Sequence, residues 1–234
     1  MELLCLNVLM SRRQRLRGAK SLRRQIGREE FDYSALMAAL SGFAKPHDKI
    51  TRLLQSGEII RVKKGLYVFG KDQRFRPYSR ELLANLIYGP SFVSLDYALS
   101  FHGLIPESVK QVTSVTSGRA RWFETPVGIF VYRPVPLHSF HVGVQRIEND
   151  DVAFLIASAE RAVADKVRED RTVPIRSIRD ARAYLFDHLR VDEAAFAALN
   201  LESLQKAAHA LRSRKAEMCV HLLRKLGEAG ARTK

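Results

Sequence analysis

The 234-residue sequence predicts an α+β chain in two parts. Three observations predict it. Apolar spacing changes from three-and-four to two just after Gly57, a polar stretch containing Pro77 interrupts the chain at residues 70–79, and helical patterns fill the sequence from Val152 onward. Hydrophobic residues make up 46% and charged residues 27%, which is ordinary globular composition and excludes wholesale disorder.

The first ten residues are apolar, and the basic cluster Arg12, Arg13, Arg15 and Arg17 follows them. A secretory leader has the reverse order, so the pattern argues against export. Two readings of this start remain open: a helix packing on the body, or a true start at Met10. Residues 16–28 place Leu16, Ala19, Leu22 and Ile26 at helical spacing. A second helix is signalled by Ser34 as N-cap, with Ala35 to Leu40 behind it and Gly42 beyond. A third begins at Pro46, a favoured first helical position, and stops at Gly57, with Ile50, Leu53 and Leu54 as its core stripe. Next, Ile59, Ile60 and Val62 lead through Lys63-Lys64-Gly65 into Leu66 to Phe69, a short hairpin with Gly65 supplying the positive φ of its turn. Three helices followed by a hairpin with a basic tip is the order of a winged helix-turn-helix. The chain therefore divides into a 1–15 extension, a 16–70 winged helix-turn-helix, a 71–79 linker, and an 80–234 mixed α/β domain ending in an all-helical tail.

The charge is the unusual quantity. There are 39 Lys plus Arg against 25 Asp plus Glu, a net of +14. Residues 1–80 hold 18 basic and 7 acidic side chains, residues 81–160 hold 5 and 8, and residues 161–234 hold 16 and 10. The nets are therefore +11, −3 and +6. A concentrated surplus fits a binding site for a polyanion better than it fits a need for solubility. On the exposed face of the third helix, His47, Thr51, Arg52 and Gln55 can bond to base edges, while Lys49, Arg61, Lys63 and Lys64 can meet phosphates. Double-stranded DNA is the expected partner. A second basic surface is expected at Arg212, Arg214, Lys215, Arg224 and Lys225, which interleave with Leu211, Met218, Leu222, Leu223 and Leu226. None of these five is expected to be buried, and a merely solvated face explains them nearly as well.

In the middle, a helix is expected after Ser94, ending at His102-Gly103, with strands near residues 109–116, 128–132 and 140–147. Residues 152–167 read as one long helix, followed by helices near 178–189, 193–199, 201–211 and 214–226. Gly65-Leu66-Tyr67, Ser94 with Ala98-Leu99 and His102-Gly103-Leu104, the strand at 111–116, and Ala159-Glu160-Arg161-Ala162 with Asp165 resemble the AbiEi-type antitoxins. Those proteins belong to bacterial type IV toxin–antitoxin and phage-defence systems. The resemblance, over about residues 20–190, implies an N-terminal winged helix and a C-terminal α/β domain. It further implies repression of the chain's own operon and a functional partner that is a nucleotidyltransferase-like toxin. The apolar start departs from that pattern.

Enzyme chemistry finds no visible carriers. His138 and His141 stand at HxxH spacing near Asp150-Asp151, without a further ligand at a recognisable offset, so neither metal nor cofactor is expected. Glu160, Arg161, Asp165 and Arg168 read as i,i+4 pairs on an exposed face, or as Arg161 fixing a loop. No phosphate-binding glycine loop or nucleophile elbow is present. Cys5 and Cys219 suggest no disulfide scaffold, and no apolar run is long enough to span a bilayer, so a cytoplasmic protein without a membrane partner is expected. The expected function is a sequence-specific transcriptional repressor acting as the antitoxin. The alternative is a nucleic-acid-processing enzyme, nuclease or nucleotidyltransferase-like, that a basic module delivers to DNA.

Overall fold

The computed structural model describes residues 22–149 and 152–232. The expectations for the 1–15 extension, for the start of the first helix and for Asp150-Asp151 lie outside the described residues. Helices and sheets are both present, so the chain is α+β. Contacts divide it into two units: the first ends at Ser79 and takes in Thr125–Val127, and the second comprises Arg80–Glu124 and Gly128–Lys234.

In the first unit, helical residues 22–26 (α1) are followed by β1 (Glu30–Asp32), α2 (Tyr33–Ala39), α3 (Pro46–Gln55), β2 (Ile59–Lys63) and β3 (Leu66–Phe69). The strands form an antiparallel sheet in the order β1-β3-β2. Strand β1 has no sequence signal of its own, because Phe31 is its only apolar residue; pairing with β3 makes it a strand. The cap of α2 is Asp32, whose carboxylate accepts from the Ala35 N–H at 2.7 Å, so the helix begins before Ser34. Leu22, Phe31, Leu36, Leu40, Ile50, Leu53, Ile59, Tyr67 and Phe69 form one core, in which each large side chain contributes about 1.5–3 kcal/mol.

Residues 71–79 contain no helix or strand, yet two buried carboxylates of this unit hold them. Glu29 accepts from Arg23 at 2.6 Å and from the Phe75 N–H at 2.9 Å. Glu30 takes Arg76 in a two-pronged ion pair of 3.2 and 3.1 Å and accepts from the Ser79 N–H.

The second unit is built on a six-stranded mixed sheet. Its order is β6 (Arg121–Thr125), β7 (Gly128–Pro134), β5 (Val112–Thr116), β4 (Ser91–Val93), β9 (Val152–Ala157), β8 (Val144–Asn149). β4 runs antiparallel to β5 and parallel to β9, β5 parallel to β7, and β8 antiparallel to β9. α4 (Arg80–Ile87) precedes β4 and α5 (Leu95–Phe101) follows it. The expected helix over 152–167 is instead two elements. Val152 to Ala157 is a strand, and only α6 (Ala159–Glu169), capped by the Ser158 hydroxyl, is helical. After β9 every described element is helical: α6, α7 (Ile178–Arg182) with its π-helical continuation Ala183–His188, α8 (Glu193–Ala197), α9 (Leu201–Leu211) and α10 (Arg214–Arg232). Cys219 is a free thiol buried in α10, and burial pushes its pKa up to about 12. Among the described residues, no helix is long and apolar enough to cross a membrane.

Candidate nucleic-acid interface

Helix α3 stands on the core through Ile50 and Leu53, and the helical period therefore presents His47, Asp48, Thr51, Arg52 and Gln55 together to solvent. Of the expected base-reading residues, Arg52 and Gln55 are exposed on the last turns of the helix. Thr51 is exposed too, but its hydroxyl donates to the His47 carbonyl at 3.1 Å, leaving only its acceptor side for a ligand. Asp48 sits in the first turn, where a carboxylate suits the helix dipole, and places one negative charge on the same face.

The expected phosphate contacts divide by burial. Arg61 and Lys64 are exposed, whereas Lys49 and Lys63 are half-buried. The Lys49 ammonium lies 5.8 Å from the centroid of the Phe43 ring, and burial holds Lys63 below its ordinary pKa. Gly65 turns the hairpin tip at φ 84°, in the left-handed region that only glycine adopts without strain.

Tyr33 was not anticipated from the sequence. Its backbone N–H donates to the Gly65 carbonyl at 3.0 Å, and its hydroxyl lies 3.4 Å from His47 Nδ1, with the two rings stacked at 6.5 Å. One residue thus ties the hairpin tip to the first turn of α3. No local pattern marks such a residue, because its role depends on two contacts distant in sequence.

The C-terminal basic set does not form one uniform surface. Arg212, Arg214, Arg224 and Lys225 are exposed. Lys215 is not: it is half-buried, and its ammonium donates to the carbonyls of Asp170 at 2.5 Å and Val173 at 2.6 Å, fastening the loop after α6 to α10. Lys215 is thus less exposed than the other four, because an ammonium can satisfy carbonyls left bare at a helix end. Arg224 lines a cleft of about 560 Å³ between α9 and α10, together with His209, Glu217 and His221.

The Arg161–Asp165 pair is also not on an exposed face. Both side chains are fully buried, with Arg161 Nε donating to Asp165 at 2.9 Å. The Ser94 hydroxyl donates to the other carboxylate oxygen at 2.7 Å. Arg161 Nη1 donates to the carbonyls of Ser139 and Val142, both at 2.6 Å, so the loop-fixing reading holds. Gly143 makes room for this: a Cβ there would lie 2.7 Å from Arg161 Cβ. Burial pushes the Asp165 carboxyl up, against the opposing pull of Arg161 and Ser94. Ser94, Arg161 and Asp165, three residues of the quoted resemblance, are therefore one structural network. His102, from the same set, bonds through Nε2 to the Ala157 carbonyl at 2.7 Å.

His138 and His141 are exposed, and among the described residues no group of three or more His, Cys, Asp or Glu could hold a metal ion. No family model matches the chain, and no curated protein matches it. Among solved structures, the fold is similar to the crystal structure of the RV2827C protein from Mycobacterium tuberculosis. That similarity has a TM-score of 0.53 at 15% identity and covers 89% of this chain and 76% of that one.

Proposed function

We propose that the chain is a sequence-specific DNA-binding transcriptional repressor whose first unit is a winged helix-turn-helix. The element order α-β-α-α-β-β and the sheet order β1-β3-β2 support that reading, with α3 as the recognition helix and the β2–β3 hairpin as the wing. The observation that carries it is the exposed face of α3: Arg52 and Gln55, beside His47 and Thr51, project from a helix seated firmly on the core. Arg52 suits the O6 and N7 acceptors of guanine, and Gln55 suits adenine. Arg61 and Lys64 on the hairpin, with Lys49 and Lys63 less freely, supply phosphate contacts.

The antitoxin role, opposite a nucleotidyltransferase-like toxin, rests on the resemblance to AbiEi-type proteins and is proposed on that ground alone. Footprinting the full chain on the DNA upstream of its own reading frame tests the repressor reading. A discrete protected stretch supports it. Uniform, salt-labile coverage of any duplex would contradict it.

A further inference from the structure

Residues 81–160 carry a net charge of −3 and only five basic side chains, and two of the five, Arg121 and Arg133, meet at one cleft on the large sheet. Arg121 and Arg133 line a cleft of about 420 Å³ with Gln111, Ala120, Trp122 and Val131, and Lys110 and Arg119 are chain neighbours of two of those residues. Arginines on an edge strand are a common guard against sheet-to-sheet aggregation. Trp122 is not. It is the only tryptophan in the chain and stands 58% exposed on the edge strand β6, where it invites the association that the charges discourage.

Strand alternation explains how it comes to be there. Phe123 turns into the apolar side, with ring centroids 6.1 Å from Tyr88 and 5.7 Å from Tyr132, so Trp122 must face the other way. The cleft is not uniformly basic. Glu124 follows along β6, and Arg133 Nε lies 3.4 Å from Glu169 in a partly exposed ion pair that engages one edge of the guanidinium. A flat aromatic surface flanked by guanidinium groups suits a ligand that offers a ring and negative charges together.

We propose that this cleft binds single-stranded nucleic acid, with an unpaired base stacked on Trp122 and the adjoining phosphates held by Arg121 and Arg133. Stacking is sequence-tolerant, since every base has a π-face, and cationic side chains beside it track the backbone. The inference rests on second-unit residues and does not depend on the repressor reading.

The single tryptophan makes the test direct. Intrinsic fluorescence of the full chain, corrected for ligand absorbance, is followed while oligo(dT), oligo(rU), a duplex and inorganic phosphate are added separately. Saturable, salt-sensitive quenching by oligo(dT), by oligo(rU) or by both is expected, and the stronger of the two identifies DNA or RNA as the source. Arg121→Glu with Arg133→Glu should abolish the quenching while the melting curve stays that of a folded chain. Trp122→Ala, read by anisotropy of a labelled oligonucleotide, should weaken binding on the order of ten-fold. Arg52→Ala should leave the quenching unchanged, which separates this site from α3. No quenching by either single strand, quenching by duplex alone, quenching that survives the double reversal, or concentration-dependent self-association that Trp122→Ala abolishes would each overturn the proposal.

Discussion

Helix α3 has ten residues and α6 has eleven; both are amphipathic, and both carry an arginine one turn from a hydrophobic stripe. α3 turns Arg52 to solvent, whereas α6 turns Arg161 into the core with 0% exposure. The difference lies in what faces each helix. Opposite α6 stand the carbonyls of Ser139 and Val142, the Asp165 carboxylate and the ring of Phe92, 5.4 Å from the guanidinium. Among the described residues of the first unit, nothing comparable covers Arg52 on the outer face of α3. An arginine held by buried acceptors, as Arg161 is through Nε and Nη1 although its buried Nη2 has no hydrogen-bond partner, positions a loop; one whose donors point at water is available to a ligand.

The largest expected effect breaks the buried side of this comparison. Arg161→Met leaves Asp165 buried with only Ser94 as a partner and should destabilise the chain by about 3–5 kcal/mol in denaturant melts. The double variant Arg161→Met with Asp165→Leu should recover part of that loss, since no charge is then stranded. Arg52→Ala in the same melts should stay within about 0.5 kcal/mol of wild type. An Arg161→Met chain as stable as wild type would mean that the network contributes nothing.

The C-terminal basic set repeats the contrast within one helix. Lys215→Ala removes two charged hydrogen bonds to the loop after α6 and should lose about 1–3 kcal/mol of stability. Arg214→Glu and Arg224→Glu should leave the melt unchanged. If those exposed residues also meet phosphate, their reversal weakens DNA binding at low salt and the deficit shrinks as salt rises. A matching salt response in wild type and variant would make them a solvated face.

The smallest expected effect sharpens the division within the proposed interface. Lys64→Ala should weaken operator and random DNA about equally and lower the slope of log affinity against log salt by about one unit. Lys63, half-buried, should contribute less than Lys64. Equal slopes for Lys64→Ala and wild type would take that lysine out of contact with DNA.

How much of this was legible in the sequence follows from the same contrast. α3 and the hairpin were, because Pro46, Gly57 and Gly65 punctuate two clean periods. The Val152–Ala157 strand was not: its residues are all apolar, even the exposed Leu155, so the run shows no alternation, and it leads straight into the helical pattern of α6. Ser158, which caps α6, was the available sign of the break. Strand β6 was missed because exposed Trp122 blurs its alternation, and α4 because the polar stretch before it hid its start. The chemistry of charged residues was least legible. Arg161 and Asp165 have the spacing of a solvent-exposed pair, and only the loop brought from residues 139–143 makes them a core.

The exposed face of α3 is best tested by titrating wild type and Arg52→Ala against the footprinted site and against a scrambled duplex of equal length, at the same salt. The α3 assignment predicts that Arg52→Ala loses about 1–3 kcal/mol on the specific site and much less on the scrambled one, so that sequence preference collapses. Equal losses on both duplexes, or no loss on either, would contradict the assignment of α3 as the element that reads DNA sequence.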